Sequence, residues 1–216
     1  MTYKELITLE CEKYAKNPKA RFIGYNTVFG SRMYGTLNKV DKDQCIEMPV
    51  AENLMMGLAM GMSLEGYRPV VCFERHDFML LAMDAMLNHL DKMPWMSEGQ
   101  YQFPVLIRAI VGSSRPLNPG PQHVQNYGTL LMNSLKHTKV FFMANGTQVK
   151  DAFAGVGKSD SGAVVLVEYR DSYDEEIPEK GLDFCCGRGK LVSVPKTQSR
   201  EKTPKKICKK ICQQSH

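Results

Sequence analysis

One carboxylate, Glu52, stands where a predicted strand gives way to a predicted helix in the stretch CIEMPVAENLMMGLAMGMSLEGYRPVV, residues 45–71. A glutamate in the first turn of a helix can simply complement the helix dipole and cap free backbone N–H groups. At the start of an apolar helix it could instead lie in a dry interface, where a carboxyl group is suited to sharing a proton with a bound heterocycle. Position alone favours the cap, so the character of the helix matters.

The helix predicted over residues 52–65 has scarcely any polar face, because most of its residues are Leu, Met or Ala. We expect such a helix to be buried on all sides. Gly57 and Gly61 lie four residues apart on one face, where the missing side chains let another backbone approach closely. Each mid-helix glycine costs roughly 1 kcal/mol relative to alanine, so a partner packed at this face is expected. A dry interface favours a chemical role for Glu52.

Short apolar segments alternate with helical patterns along the chain. Strands are predicted at 21–27, 45–50, 68–74, 103–111, 139–145 and 163–170, and helices at 3–16, 52–65, 77–92, 124–136 and 147–156. Continuous apolar strands between helices predict a three-layer α/β fold with a mostly parallel sheet. Ligands bind beyond the carboxyl ends of the strands in such sheets, which makes Glu52, Phe78 and the loop 111–123 the first candidates for a site.

Composition and charge exclude several classes of protein. The 216 residues suit one domain, and no run approaches the roughly 18 apolar residues that cross a bilayer. Residues 1–17 lack the pattern of a signal peptide, so we expect a cytoplasmic protein with reduced cysteines. Residues 187–216 hold nine Lys or Arg and one acidic residue, whereas residues 1–186 carry a net charge of −3. This basic tail has no aromatic residue, so a solvated segment is favoured over a nucleic-acid site.

The C-terminal cysteines could be interpreted as a zinc site. Cys185, Cys186, Cys208 and Cys212 lack the paired C-x2-C spacing of structural zinc sites. We therefore favour free cysteines in the tail, and no metal ligand is assigned to this chain.

A set of motifs follows Glu52 at fixed spacing. E-x4-G-x3-G is formed by Glu52, Gly57 and Gly61, and GYRPV, MSEGQ, PVLIR and QH follow it. With this combination the chain closely resembles, over roughly residues 43–173, the pyrimidine-binding domain of thiamine-diphosphate enzymes. It is most similar to the beta subunit of the 2-oxo acid dehydrogenase decarboxylating component, and less similar to transketolase. The resemblance implies a pyrimidine-type domain at residues 1–180, followed at 181–216 by a linker remnant and the basic tail.

The resemblance implies roles for individual residues. Glu52 matches the glutamate that hydrogen-bonds N1′ of the cofactor's aminopyrimidine, and Phe78 matches the aromatic residue that stacks on this ring. His123 matches the histidine of a Q-H-S motif, which faces the substrate as an acid, a base or an oxyanion donor. Glu74, in a segment more charged than in relatives, is expected beside the cofactor. Without the resemblance, Phe78 could equally be a core residue and His123 a helix cap.

Other positions depart from the family or match nothing in it. Val124 stands where the family motif has its serine, and the loop before it looks longer than usual, which leaves the substrate open. His76, His89 and His137 have no counterpart and are expected to be surface or helix residues.

Part of a complete enzyme of this family is missing from the sequence. Such an enzyme needs a diphosphate-binding domain with a GDG motif and an Asn pair that holds Mg²⁺. No GDG occurs in this chain, and the usual C-terminal domain of the beta subunit is not recognisable. We therefore expect an alpha-type partner subunit that carries the diphosphate and Mg²⁺ site, with thiamine diphosphate lying across the interface of a heterodimer or heterotetramer.

Two functions remain at this stage. The first is an enzyme subunit that acts on a 2-oxo acid or a ketose sugar, by decarboxylation or by ketol or acyl transfer. The alternative is a non-catalytic regulatory or scaffold protein that keeps the fold and still docks to a partner. Retention of Glu52, Phe78 and His123 together favours the enzyme, because a scaffold has no physical need for all three.

Overall fold

The structure is a computed structural model that describes residues 1–113, 118–157 and 161–177, together with the backbone of two strands at 184–187 and 190–193. In this part of the chain the α-helices are α1 Tyr3–Ala15, α2 Glu52–Leu64, α3 His76–Met79, α4 Met93–Met96, α5 Gly128–Ser134 and α6 Gly146–Ala154. The strands are β1 Ala20–Gly24, β2 Cys45–Glu47, β3 Arg68–Phe73, β4 Leu106–Val111, β5 Lys139–Phe142, β6 Val164–Tyr169, β7 Phe184–Gly187 and β8 Lys190–Ser193.

These strands form one sheet in the order β2-β1-β3-β4-β6-β5-β7-β8. All pairs among β1 to β6 are parallel, whereas β7 pairs antiparallel with β5 and with β8. The central strands β3, β4 and β6 are buried along nearly their whole length. Burial on both faces explains why their sequences are continuous apolar runs rather than alternating ones.

Two apolar clusters lie on opposite faces of the sheet. Ile23, Val71 and Ile107 point to the face covered by α2 and the helical segment after β3. Their sequence neighbours Phe22, Val70 and Leu106 point to the face covered by α1 and α6. Successive strand residues alternate between the two faces, so each strand contributes to both clusters. The predicted three-layer α/β fold with a mostly parallel sheet is confirmed.

The helix predicted over residues 77–92 is broken into shorter pieces. After α3 the chain forms a 3₁₀ turn, Leu80–Ala82, and then a π-helix, Ala85–Leu90. Asp91 follows directly and is buried. Its carboxylate accepts the backbone N–H groups of residues 136, 137 and 138 at 2.9, 2.9 and 2.7 Å. Asp91 thus anchors the loop that leads into β5.

A charged pair lies fully buried between the sheet and α1. Arg108 of β4 donates from Nε to Glu168 Oε1 at 2.6 Å and from Nη2 to Glu168 Oε2 at 2.9 Å. Arg108 Nη2 also donates to Thr36 at 3.0 Å, and the Tyr173 hydroxyl donates to Glu168. Two-point contact and extra hydrogen bonds offset the cost of burying both charges. The network joins β4 and β6 to the loop after β1.

Among the described residues, no helix has the length and apolarity needed to cross a membrane. The expected cytoplasmic location stays a prediction. Residues 194–216, with Cys208, Cys212 and most of the basic tail, lie outside the described part of the chain, as do the side chains of Cys185 and Cys186. The predicted division into domains at residue 180 is likewise untested, although the backbone of β7 and β8 continues the sheet beyond it.

Candidate functional site

The predicted site residues Glu52, Phe78 and His123 follow three strands that lie within one group of four neighbours in the sheet. Glu52 begins α2 after β2, Phe78 lies in α3 after β3, and His123 ends a 3₁₀ turn, Pro121–His123, after β4. The intervening strand, β1, is followed directly by Tyr25. Because β2, β1, β3 and β4 are adjacent and parallel, their carboxyl ends meet at one edge. The structure therefore places Glu52, Phe78 and His123 at one edge of the sheet, and their roles stay a prediction.

Glu52 is only 2% exposed, although it is the first residue of its helix. Within the described residues the buried Oε1 atom of its carboxylate has no hydrogen-bond partner. Met55 and Met56 of the same helix are completely buried beside it. An unpartnered carboxylate oxygen among apolar side chains is costly, so this arrangement does not support the helix-cap interpretation.

Tyr25, which the sequence reasoning missed, lies beside Glu52. Its hydroxyl is buried and has no hydrogen-bond partner among the described residues. Burial, followed by the carboxylates of Glu52 and Glu74, raises the pKa of Tyr25 well above its usual value. A side-chain hydrogen-bonding interaction with Glu52 contributes to this shift, so the two groups are close neighbours, although neither the hydroxyl nor Glu52 Oε1 has a hydrogen bond of regular geometry. Only the adjacency of β1 and β2 brings them together, and no local motif in the sequence signals it.

Three rings line the site. The Phe78 and His123 rings meet edge to face with centroids 5.3 Å apart, and the Tyr25 ring lies 6.4 Å from Phe78 at a tilt. Phe78 is half-buried rather than sealed in the core, so part of its side chain remains accessible. The Nδ1 atom of His123 is buried without a partner in the described part of the chain. The three rings and the buried Nδ1 atom of His123 thus lie together at the carboxyl edge of the sheet.

The loop that carries His123 packs tightly against its neighbours. Arg75 Nη1 donates to the backbone carbonyl of His123 at 3.4 Å. A Cβ atom at Gly112 would overlap both this carbonyl oxygen and the Arg75 guanidinium. Only glycine therefore allows the end of β4 to pass this close to the His123 loop.

The charged segment before Phe78 holds the surrounding loops. Glu74 accepts from Asn26 Nδ2 at 2.9 Å and from Ser31 Oγ at 2.8 Å. The predicted cofactor-binding residue Glu74 thus lies at the edge of the site with both carboxylate oxygens engaged by the loop after β1. A direct contact between Glu74 and a cofactor stays a prediction.

His76 was expected at the surface or on a helix. It lies on a helix, but the expectation of a surface position was wrong. The residue is in α3 but completely buried. Its Nδ1 atom accepts the backbone N–H of Tyr127 at 3.1 Å, and burial lowers the pKa of His76 to about 4. A neutral imidazole thus fixes the loop before α5. His89 and His137 are exposed, as predicted.

Five buried polar atoms without a partner among the described residues lie along this edge. They are Tyr25 Oη, Glu52 Oε1, His76 Nε2, Asp77 Oδ2 and His123 Nδ1. Buried polar side-chain atoms are normally hydrogen-bonded, so a concentration of exceptions points to a ligand or a catalytic use. A separate cavity of about 340 Å³, lined in part by Trp95, lies at the amino ends of the strands and includes none of the predicted site residues.

The outer face of α2 is open in this chain, which corrects the expectation of a helix buried on all sides. Leu54 and Leu64 are 56% and 51% exposed, and Val50 before the helix is 72% exposed. Cβ atoms built at Gly57 and Gly61 would meet nothing within 4 Å. The sequence predicted burial because apolar composition does not distinguish a core from an uncovered interface.

The family described as "Transketolase, pyrimidine binding domain" matches residues 1–175 of this chain. The chain belongs to this family. Among curated relatives, the pyruvate dehydrogenase E1 component subunit beta of Gracilaria tenuistipitata var. liui is 35% identical over 100 residues, covering 43% of this chain and 30% of the relative. Subunit beta-1, mitochondrial, of Oryza sativa subsp. japonica is 33% identical over 163 residues, covering 72% of this chain and 42% of the relative.

A solved structure supports the family fold. It is described as a split gene transketolase, inactive beta4 tetramer, and it matches with a TM-score of 0.59 at 20% identity. The match covers 79% of this chain and 52% of that one. This chain thus spans less than half the length of the two curated relatives named above, and its shared part is the pyrimidine-binding domain.

Proposed function

We propose that this chain is the pyrimidine-domain, beta-type subunit of a split thiamine-diphosphate-dependent enzyme that acts on a 2-oxo acid or a ketose. The observation that carries the proposal is the Glu52 carboxylate, which is buried and has an unpartnered oxygen at the same sheet edge as the contacting rings of Phe78 and His123. Membership of the pyrimidine-binding family indicates the ligand that these groups would bind, which is a pyrimidine ring.

The residues fit the aminopyrimidine end of the cofactor. A flat heteroaromatic ring can stack on the accessible part of Phe78, and a ring nitrogen can take up the unused bonding capacity of Glu52. When bound, thiamine diphosphate supplies the electron sink that stabilises negative charge at the carbonyl carbon of such a substrate. Glu52 would share a proton with this ring nitrogen through its carboxyl oxygen.

His123 would act on the substrate side of the same site. It lies edge to face with Phe78, so a cofactor ring stacked on Phe78 would lie near its imidazole. A histidine there can donate a hydrogen bond to a developing oxyanion or transfer a proton. The tight packing of Gly112 and Arg75 against the His123 backbone keeps the imidazole in this position.

The open face of α2 supports an alpha-type partner. Gly57 and Gly61 form a shallow groove between the exposed side chains of Leu54 and Leu64, and another helix can approach closely there. Because Glu52 begins the same helix, such a partner would close the site over the cofactor. The partner would carry the diphosphate and Mg²⁺ in a heterodimer or heterotetramer.

The test combines this chain with an alpha-type chain that contains GDG and the Asn pair. Thiamine diphosphate and Mg²⁺ are titrated into each chain and into the mixture, and decarboxylation of 2-oxo acids and ketol transfer from ketoses are measured. We expect tight binding only in the mixture. Glu52→Gln should then lower turnover by about 100-fold or more. Glu10→Gln, at a buried glutamate of α1 away from the site, is the matched control.

The outcomes separate the enzyme from the alternative. Full activity of Glu52→Gln would contradict the proposed role of this carboxylate. A mixture that assembles and binds the cofactor without turning over any substrate would favour the regulatory or scaffold protein. Absence of cofactor binding in all samples would remove the cofactor assignment.

A further inference from the structure

Tyr25 and Glu52 present two complementary atoms that both lack a partner. The Tyr25 hydroxyl is a hydrogen-bond donor, and Glu52 Oε1 is an acceptor. Both atoms are buried, and neither has a partner among the described residues. The other nearby carboxylate, Glu74, already accepts one hydrogen bond at each oxygen, from Asn26 and from Ser31. Of the two carboxylates that raise the pKa of Tyr25, Glu52 has the larger effect and is the one with a buried, unpartnered oxygen.

The backbone on both sides of Tyr25 is held in place. The carbonyl of Gly24 accepts the N–H of Met48 at 2.9 Å. On the other side, the Glu47 carboxylate accepts the N–H groups of residues 26, 27 and 28 at 2.7 to 2.9 Å. Although burial opposes ionisation, these hydrogen bonds lower the pKa of Glu47, so it stays charged and keeps the loop fixed.

Packing also limits where the Tyr25 ring can lie. A Cβ atom at Gly24 would come within 2.7 Å of the Cys72 carbonyl oxygen, so the chain runs close against β3 just before Tyr25. The ring itself contacts Phe78 with centroids 6.4 Å apart and is 8% exposed. A side chain held in this way is preorganised to place its hydroxyl at one point in the site.

We propose that Tyr25 is a positioning residue whose hydroxyl donates a hydrogen bond to Glu52 Oε1, so that the other carboxylate oxygen is directed at the bound heterocycle. The inference deepens the proposed function and rests on it for the identity of that heterocycle. A donor to a carboxylate favours its charged form. Tyr25 therefore sets both the direction of the carboxylate and how readily it keeps a proton.

The test follows the protonation of Glu52 in the full chain without any cofactor. The infrared band of a protonated carboxyl group is recorded against pH, and the Glu52 band is identified as the one that Glu52→Gln removes. In Tyr25→Phe the band should persist to a pH about one unit higher than in the wild type. Tyr14→Phe is the matched control, because its hydroxyl is also buried without a partner but its ring packs against Phe22 and Phe153.

A double-mutant cycle gives a second readout that does not depend on pH. Urea midpoints are compared for Tyr25→Phe, Glu52→Met and the double variant. We expect the Tyr25→Phe effect to change when Glu52 is absent, because interacting residues are not additive. An unchanged band position in Tyr25→Phe, an equal shift in Tyr14→Phe, or additive midpoints would each overturn the inference. Neither readout needs the cofactor, so loss of cofactor binding alone would count only against the proposed function.

Discussion

Replacing Gly57 and Gly61 with alanine tests whether the face of α2 is open in the chain and covered in the enzyme. An added Cβ atom meets nothing within 4 Å at either position, so neither substitution introduces a clash. Alanine is favoured over glycine in a helix interior by about 0.8–1.0 kcal/mol. The double variant should therefore raise the free energy of unfolding of the isolated chain by about 2 kcal/mol and its Tm by about 4–8 °C.

Filling the same face with a larger side chain should weaken binding of the partner chain, although it leaves the isolated chain folded. Gly57→Leu fills the groove, so it should leave the isolated chain folded and weaken association with the alpha-type chain by about tenfold or more. Urea denaturation measures the first effect, and a binding titration between the two chains measures the second. Thr129→Leu, at an exposed position of α5, is the control for adding an apolar side chain elsewhere.

Two results would refute this reasoning. Lower stability of the double alanine variant in the isolated chain would mean that other atoms already occupy the glycine face. Unchanged association of Gly57→Leu, with normal cofactor binding in the mixture, would mean that the partner docks elsewhere.

Three further perturbations test other parts of the molecule. Glu168→Gln leaves the Arg108 guanidinium buried without a full countercharge and should lower the free energy of unfolding by about 3–5 kcal/mol in urea denaturation, and a loss below about 1 kcal/mol would contradict this. The pKa of His76 is lowered to about 4, so this histidine takes up a proton in the unfolded chain at a higher pH than in the folded one. The free energy of unfolding should therefore fall by about 3 kcal/mol as the pH drops from about 6.5 to 4. In His76→Gln the dependence of this free energy on pH should be weaker. Gly112→Ala should displace the His123 loop and lower turnover of the assembled enzyme by about 10- to 100-fold while the chain stays folded, as near-native circular dichroism would show.

Much of the fold was predictable because it depends on local pattern. The apolar runs of β3, β4 and β6 predicted buried parallel strands, and their burial on both faces accounts for those runs. Helix α2 begins at Glu52 as predicted. The segment after β3 was predicted less well, since periodicity does not distinguish one regular helix from a succession of α, 3₁₀ and π turns.

The site was predictable only where a residue follows its strand directly or matches a family motif. Glu52, Phe78 and His123 were predicted in this way, and the structure places them at one edge. Tyr25 was missed, because its relation to Glu52 arises only when β1 pairs with β2. The burial of His76 was missed because a charged segment on its own looks like a solvated surface.

The sequence alone determined the class of fold and the residue that opens α2, because strand and helix periods and the strand-to-helix junction are local properties of the chain. The tertiary structure alone decided which polar atoms lose contact with water. Arg108 and Glu168 find each other across 60 residues, whereas Glu52 and Tyr25 are left with unpartnered oxygens. Desolvation depends on everything packed around a group, and no local pattern records those surroundings.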